Sequence, residues 1–115
     1  MNREDIIKYS LSLPNTYEDY PFPDDNTSVT MKHLENKKWF ALVMNVKDKV
    51  YLNVKTNPYY SELLRSSYDY IIPGYHINKE HWNTIIIDDK VDVYLVEELI
   101  EQSYELTKKS IGKSK

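Results

Sequence analysis

The feature that most constrains the fold is a run of three β-type segments between residues 29 and 55. Residues 29–34 and 50–55 alternate with a period of two, which places every second side chain on one face. Between them, residues 38–46 (KWFALVMNV) are nearly all apolar, as in a central strand covered on both faces. Short turns at Asn36-Lys37 and at 47–49 join the segments. The pattern predicts a three-stranded antiparallel meander.

Two helices are predicted on either side of this meander from their boundary residues. Asn2 is a good N-cap for a first helix, and Pro14 ends that helix because it restricts the residue before it. Asn57 and Pro58 supply an N-cap and a first helical residue for a second helix, which runs to about Ser66.

A third helix closes the chain. Asp92 is its N-cap, and Val91 and Val96 stand at the positions of a hydrophobic staple. Gly112 suits the end of this helix. Helical spacing of apolar and small side chains predicts the buried positions of the three helices. These positions are Ile6, Ile7, Ser10, Leu11, Leu63, Leu64, Val96, Leu99, Ile100, Ser103 and Leu106.

The remaining segments complete an α+β assignment. Residues 15–26 are rich in prolines and acids and are predicted to form a loop, whereas 68–72 and 83–88 are β-prone. Helices that bracket an antiparallel sheet indicate a two-layer α+β domain. We therefore expect the meander plus one or two later strands, packed with N-terminal, middle and C-terminal helices. The loop side chains expected to pack on the core are Tyr17, Tyr20 and Phe22.

The composition excludes several classes of protein. The chain has 115 residues, which suits a single domain over 1–115. It has no cysteine, which excludes disulfides, thiolate metal sites and a cysteine nucleophile. Two glycines are too few for a glycine-rich phosphate loop. No apolar run approaches the roughly 20 residues that span a bilayer, and the N-terminus lacks a signal peptide's basic region. We expect a soluble, cytoplasmic protein.

Charge is distributed unevenly along the chain. The net charge is −3, but residues 27–83 carry +3 between acidic flanks. Lysines gather at the predicted hairpin turns, where they can reach phosphates while an aromatic ring stacks on bases. This interpretation predicts weak, salt-sensitive nucleic-acid binding. The residues predicted to take part are Lys37, Lys38, Trp39, Lys47, Lys49, Lys55, Arg65 and Lys79.

The segment 73–84 (PGYHINKEHWNT) has the highest density of functional residue types. Its two histidines are five residues apart, which does not place them on one helix face, and a zinc site would need a third ligand such as Glu80 or His33. A catalytic pair of a histidine with Ser67 is not selected by any spacing. We therefore expect no metal, no cofactor and no enzymatic activity.

Two interpretations of this segment remain open. In the first, the segment is scaffold: Pro73-Gly74 forms a turn, Asn78 caps a helical turn through His81, and the histidine rings bind backbone carbonyls. In the second, His76, His81 and Trp82 line a pocket for a protein or a small ligand. The residues assigned to the motif or pocket are Pro73, Gly74, His76, Asn78, Lys79, His81, Trp82 and Asn83.

Four stretches of the sequence resemble the MmcQ/YjbR-like family. NKKWFALVMNV at 36–46 and VYLNVKTNP at 50–58 are similar to that family's meander and second-helix start. PGYHINKEHWNT at 73–84 is similar to its most recognisable block, and VEELIEQSYELT at 96–107 resembles its closing helix. The resemblance extends over roughly residues 2–110.

The resemblance implies a fold and a function. The fold is a small α+β domain with an antiparallel sheet, similar to frataxin-like and type III secretion chaperone-like folds. The family is labelled as a predicted DNA-binding protein with a double-wing motif, and no catalytic residues carry over. We therefore expect a small bacterial-type binding protein, monomeric, that binds DNA through its basic hairpin tips and the 73–84 loop.

Overall fold

The computed structural model describes residues 1–108. A six-stranded antiparallel sheet with the order β1-β2-β3-β4-β6-β5 forms one layer, and three helices form the other. The strands are β1 (Thr16–Asp19), β2 (Val29–His33), β3 (Trp39–Val46), β4 (Lys49–Lys55), β5 (Ile71–Pro73) and β6 (Trp82–Ile87). The helices are α1 (Arg3–Leu11), α2 (Pro58–Ser67) and α3 (Val93–Thr107). The predicted two-layer α+β class is confirmed.

The predicted meander is present as β2, β3 and β4. In the β3–β4 hairpin, Lys47 and Asp48 both have positive φ, of 49° and 69°. Positive φ at both central residues is typical of a type I′ turn, whose twist matches that of the flanking strands. The structure places Lys49 at the start of β4 rather than in the turn. The β2–β3 turn likewise contains a residue with positive φ, Lys37 at 61°.

The three helices pack on the same face of the sheet. Register pairs Val43 with Leu52 and Leu52 with Ile85, so these side chains share one face. They belong to the same buried cluster as Ile6 of α1 and Leu99 of α3. The core therefore lies between this face and the helices, and no helix within residues 1–108 packs on the opposite face.

The helix starts follow the predicted caps. The Asn2 side chain accepts a hydrogen bond from the Asp5 amide in a reciprocal capping box. Asn57 and Asp92 cap α2 and α3, and Pro58 is the first residue of α2. The predicted end of the third helix at Gly112 lies outside the described residues. No helix within residues 1–108 is long and apolar enough to cross a membrane.

The prediction of a loop over residues 15–26 is wrong in its first part, because residues 16–19 form the edge strand β1. This strand has no apolar alternation, and it is held by backbone pairing with β2 and by the Lys32–Asp19 ion pair of 3.1 Å. Tyr20 and Phe22 do not pack into the core: they are 51% and 40% exposed.

Two predicted core positions on the helices are also wrong. Leu63 is 59% exposed and Leu106 is 50% exposed. The other predicted positions of α3, including Ser103, are buried. Ser103 Oγ donates to the Phe40 carbonyl (2.6 Å) and accepts from the Lys55 amide (2.9 Å). The phase of α3 is therefore as predicted up to its last turn, where Thr107 is buried in place of Leu106.

Candidate nucleic-acid interface

The predicted basic residues divide between the two ends of the sheet. Lys38 precedes β3 and Lys55 ends β4, so both lie at one end, together with the β2–β3 turn. Lys47 and Lys49 lie at the other end, in and beside the β3–β4 turn. Because β3 has eight residues, the two ends are about 23 Å apart. The hairpin lysines therefore do not form one surface.

At the first end, two lysines and two tryptophans converge on one open cleft of about 240 Å³. Trp39 begins β3 and Trp82 begins β6, and Lys55 on the intervening β4 is paired in register with Trp82. We call this site the Trp–Lys cleft; it is lined by Lys38, Trp39, Lys55, Trp82 and Thr107. These two tryptophans are the only ones in the sequence.

The end of α3 fixes the wall of the Trp–Lys cleft. Asn36 Nδ2 donates to the Thr107 carbonyl (2.9 Å), and Asn36 Oδ1 accepts from the Lys38 amide (2.9 Å). Thr107 Oγ1 in turn lies 2.8 Å from His33 Nε2. The turn that carries Lys38 is thus tied through Asn36 and Thr107 to the buried interior.

His33 is the interior end of this chain of contacts. It is 3% exposed, and its ring lies 5.1 Å from the Phe40 ring and 4.8 Å from the Tyr104 ring, centroid to centroid. Burial lowers the pKa of His33, and the positive charge of Lys108 lowers the pKa further. The sequence predicts His33 as part of an alternating strand and as a candidate metal ligand, but nothing in β2 indicates its contact with Thr107, 74 residues later.

The sequence predicts Arg65 and Lys79 as contacts to nucleic acid. In the structure, both side chains bind groups of the 73–84 segment. Arg65 Nε donates to Asn83 Oδ1 (2.6 Å), and Arg65 Nη2 donates to the Lys79 carbonyl (2.6 Å). Lys79 Nζ donates to the Gly74 carbonyl (2.6 Å). Both cationic groups therefore hold the segment in place.

Gly74 and Asn78 shape the two ends of the same loop. The Gly74 amide donates to the Trp82 carbonyl (2.9 Å), and a Cβ at Gly74 would lie only 2.6 Å from Ile77 Cγ2. Asn78 Oδ1 accepts from the amides of Glu80 (2.9 Å) and His81 (3.0 Å). The Asn78 cap is as predicted, whereas Pro73 ends strand β5 and the predicted Pro73-Gly74 turn lies instead at Tyr75 and His76.

The loop also covers part of the helix-free face of the sheet. The Tyr75 amide donates to Thr84 Oγ1 (2.8 Å), and Thr84 Oγ1 donates to Asn53 Oδ1 (2.5 Å). The Tyr75 ring meets the Tyr51 ring edge to face, with centroids 5.3 Å apart. Thr84 and Asn53 are fully buried under this cover. The most distinctive sequence block is therefore built largely from scaffold contacts.

The two histidines of the block do not line the Trp–Lys cleft. His76 is exposed, has a positive φ of 58°, and packs its ring 4.2 Å from that of Tyr75. His81 is half-buried, and its Nε2 lies 3.9 Å from Oε1 of the exposed Glu80. Arg65 and Lys79, not the histidines, bind backbone carbonyls here. Within residues 1–108, no three His, Asp or Glu side chains are placed to hold a metal ion.

Comparison with known proteins assigns the family. The family model described as YjbR matches residues 11–106. The chain belongs to the YjbR family. This confirms the family resemblance carried by the meander, the 73–84 block and the last helix.

The relatives are uncharacterised proteins of bacteria. The chain is 37% identical to the uncharacterized protein YyaQ of Bacillus subtilis, over 94% of this chain and 99% of that protein. It is 25% identical to the uncharacterized protein YjbR of Escherichia coli K12, over 91% of this chain and 86% of that protein.

Solved structures agree with the fold. A crystal structure of a Pseudomonas syringae protein matches with a TM-score of 0.87 and 30% identity, over 94% of this chain and all of that one. The Deinococcus radiodurans protein DR2400 matches with a TM-score of 0.83 and 34% identity, over 96% of this chain and 82% of that one.

Proposed function

We propose that this chain is a cytoplasmic, non-enzymatic protein that binds DNA weakly through the end of the sheet that carries Lys37, Lys38 and Lys55. The observation that supports this proposal most is the convergence of these lysines with two tryptophans at one end of the sheet. Phosphate contacts by lysine supply most of the affinity of weak nucleic-acid binders.

The charges of these lysines are not neutralised within the protein. Lys32 is paired with Asp19 and Lys108 with Glu105, but Lys37, Lys38 and Lys55 make no ion pair within residues 1–108. The acids of α3 line a neighbouring groove of about 510 Å³ beside the start of α2. Leu106 of this groove directly precedes Thr107 of the Trp–Lys cleft, so the basic end of the sheet borders an acidic surface. The acidic groove is lined by Asn57, Glu98, Glu101, Gln102, Glu105 and Leu106.

A protein- or small-ligand pocket built from His76, His81 and Trp82 has less support. Of these three side chains, Trp82 alone lines the Trp–Lys cleft. His76 is exposed and His81 is half-buried.

A salt titration tests the proposal. Fluorescence anisotropy of a labelled DNA oligonucleotide is measured between about 50 and 200 mM salt, a range over which phosphate contacts weaken strongly. The slope of log affinity against log salt is expected to fall by about 0.7–0.9 for each contacting lysine that is neutralised. Lys38→Gln/Lys55→Gln should therefore flatten the slope by about 1.4–1.8.

The chain offers a matched control with the same change of charge. Lys47→Gln/Lys49→Gln neutralises two lysines at the far end of the sheet and should leave the salt slope within about 0.3 of the wild-type value. Equal effects of the two double variants would reject the proposed surface. An absence of binding at about 10 μM protein in 50 mM salt would reject nucleic-acid binding itself, since non-specific binders reach this range.

A further inference from the structure

The Trp–Lys cleft has the dimensions of a site for one small planar group. Its volume of about 240 Å³ is below the roughly 300–1,000 Å³ of sites that enclose a whole drug-sized ligand. Trp39 and Trp82 stand on β3 and β6 with β4 between them, so their backbones are about 10 Å apart. A flat ring sandwiched between two others needs about twice the 3.4 Å spacing of stacked bases, roughly 7 Å.

The rings of this cleft are partly covered by the protein. Both tryptophans are half-buried, and the Phe22 and Trp39 rings pack edge to face with centroids 6.4 Å apart. A base inside a duplex is stacked and paired, and it reaches such a recessed ring only after it has left the helix. An unpaired base has an exposed face, and it can enter the cleft without the free-energy cost of unpairing and unstacking.

The two lysines of the cleft lie beside its tryptophans, where they can contact the phosphates of an unpaired strand. Lys38 is next to Trp39 in sequence, and Lys55 is opposite Trp82 in the β4–β6 register. Single-strand-binding sites combine aromatic rings that stack bases with basic groups that follow the phosphates, and they tolerate many sequences because every base has a π-face.

We infer that the nucleic acid recognised by this chain is single-stranded, with an unpaired base stacked in the cleft on both Trp39 and Trp82. This inference rests on the proposed function and specifies its ligand. Lys38 and Lys55 bind the flanking phosphates. Duplex DNA binds through the same lysines alone and therefore more weakly.

Intrinsic fluorescence tests the inference directly, because both tryptophans of the sequence line the cleft. A 12-base single strand of mixed sequence is expected to quench tryptophan emission saturably. The blunt duplex of the same sequence should bind at least 10-fold more weakly and quench little. In Trp39→Phe, the remaining emission comes from Trp82 and should still be quenched.

Substitutions separate stacking from charge. Trp39→Ala and Trp82→Ala should each weaken single-strand binding by about 5- to 150-fold, the fold-change that corresponds to the loss of one base–aromatic stack. Trp39→Phe and Trp82→Phe keep an aromatic ring and should lose less affinity for the single strand. They also allow stacking to be tested if an alanine variant does not fold. Tyr94→Ala is the control, because Tyr94 is 82% exposed and about 20 Å along α3 from Thr107.

Two results would overturn the inference and are distinguishable from each other. Equal affinity for single strand and duplex, unaffected by the tryptophan variants but reduced by Lys38→Gln/Lys55→Gln, leaves the proposed function standing and rejects base stacking. No binding of either form rejects both.

Discussion

The guanidinium of Arg65 and the side-chain amide of Asn83 lie 2.6 Å apart, Nε to Oδ1, and this contact joins α2 to the first residues of β6. Asn83 is fully buried, and its Nδ2 donates to Ser61 Oγ on the same helix. The sequence predicts Arg65 as a DNA contact and Asn83 as part of the family motif or a pocket. In the structure, these two side chains bind each other.

Loss of the Arg65 guanidinium should loosen the 79–82 turn. Arg65→Ala leaves the buried Asn83 oxygen without its charged donor, and we expect the free energy of unfolding to fall by about 1–3 kcal/mol. The amides of His81 and Trp82 should exchange with solvent faster, because Arg65 also binds the Lys79 carbonyl. Urea denaturation and hydrogen exchange measure the two effects.

Arg65→Lys is the control for that experiment. A lysine keeps the charge but lacks the planar guanidinium group. It therefore binds either Asn83 Oδ1 or the Lys79 carbonyl, and it should restore only part of the free energy of unfolding. Unfolding and exchange identical to wild type in Arg65→Ala would show that the contact contributes nothing to the turn.

Gly74→Ala should destabilise the protein through steric overlap. The new methyl would lie 2.6 Å from Ile77 Cγ2 and 3.1 Å from the Trp82 carbonyl oxygen. Overpacking of this kind costs about 1–3 kcal/mol. In an Ile77→Ala background the first overlap is gone, so the same substitution should cost less. A double-mutant cycle in urea measures this difference, and additive costs would contradict the proposed overlap.

The buried imidazole of His33 should make stability depend on pH. Burial, and then Lys108, lower its pKa in the folded state below the ordinary value of 6.5. The unfolded chain then binds a proton at a higher pH than the folded chain does. The free energy of unfolding should therefore fall as the pH drops below about 6.5, by at most about 1.4 kcal/mol per pH unit, and level off below the folded pKa.

His33→Gln should remove this slope between pH 7 and pH 5, as measured by urea denaturation at several pH values. The matched control is His76→Gln, since His76 is exposed and should leave the wild-type profile unchanged. Parallel profiles for wild type and His33→Gln would exclude His33 as the source of the pH dependence.

Local patterns were sufficient to predict much of the fold. The meander, the caps at Asn2, Asn57 and Asp92, and the turn capped by Asn78 follow from periodicity and from side chains that bind nearby amides. Strand β1 was not predictable in this way, because its four residues TYED are stabilised by β2 rather than by their own pattern.

The candidate site was only partly predictable. Consecutive turns of a meander lie at opposite ends of a sheet, so the separation of Lys38 from Lys47 was implied by the sequence. The meeting of Trp39 with Trp82 was not, because it depends on the register of β6 against β4 and on the path of the 42 intervening residues. The engagement of Arg65 and Lys79 with backbone carbonyls likewise required the tertiary structure.

The most direct test of the proposed surface is a residue-resolved NMR titration. Amide signals of the ¹⁵N-labelled full chain, and the two indole N–H signals of Trp39 and Trp82, are followed while a 12-base DNA strand is added at about 50 mM salt. The largest shifts are expected in both indole signals and in the amides of 37–39 and Lys55. The amides of 47–49, at the far end of the sheet, should not move. Shifts centred on 47–49 or on His76 and His81, with both indole signals unmoved, would exclude the Trp–Lys cleft as the binding surface.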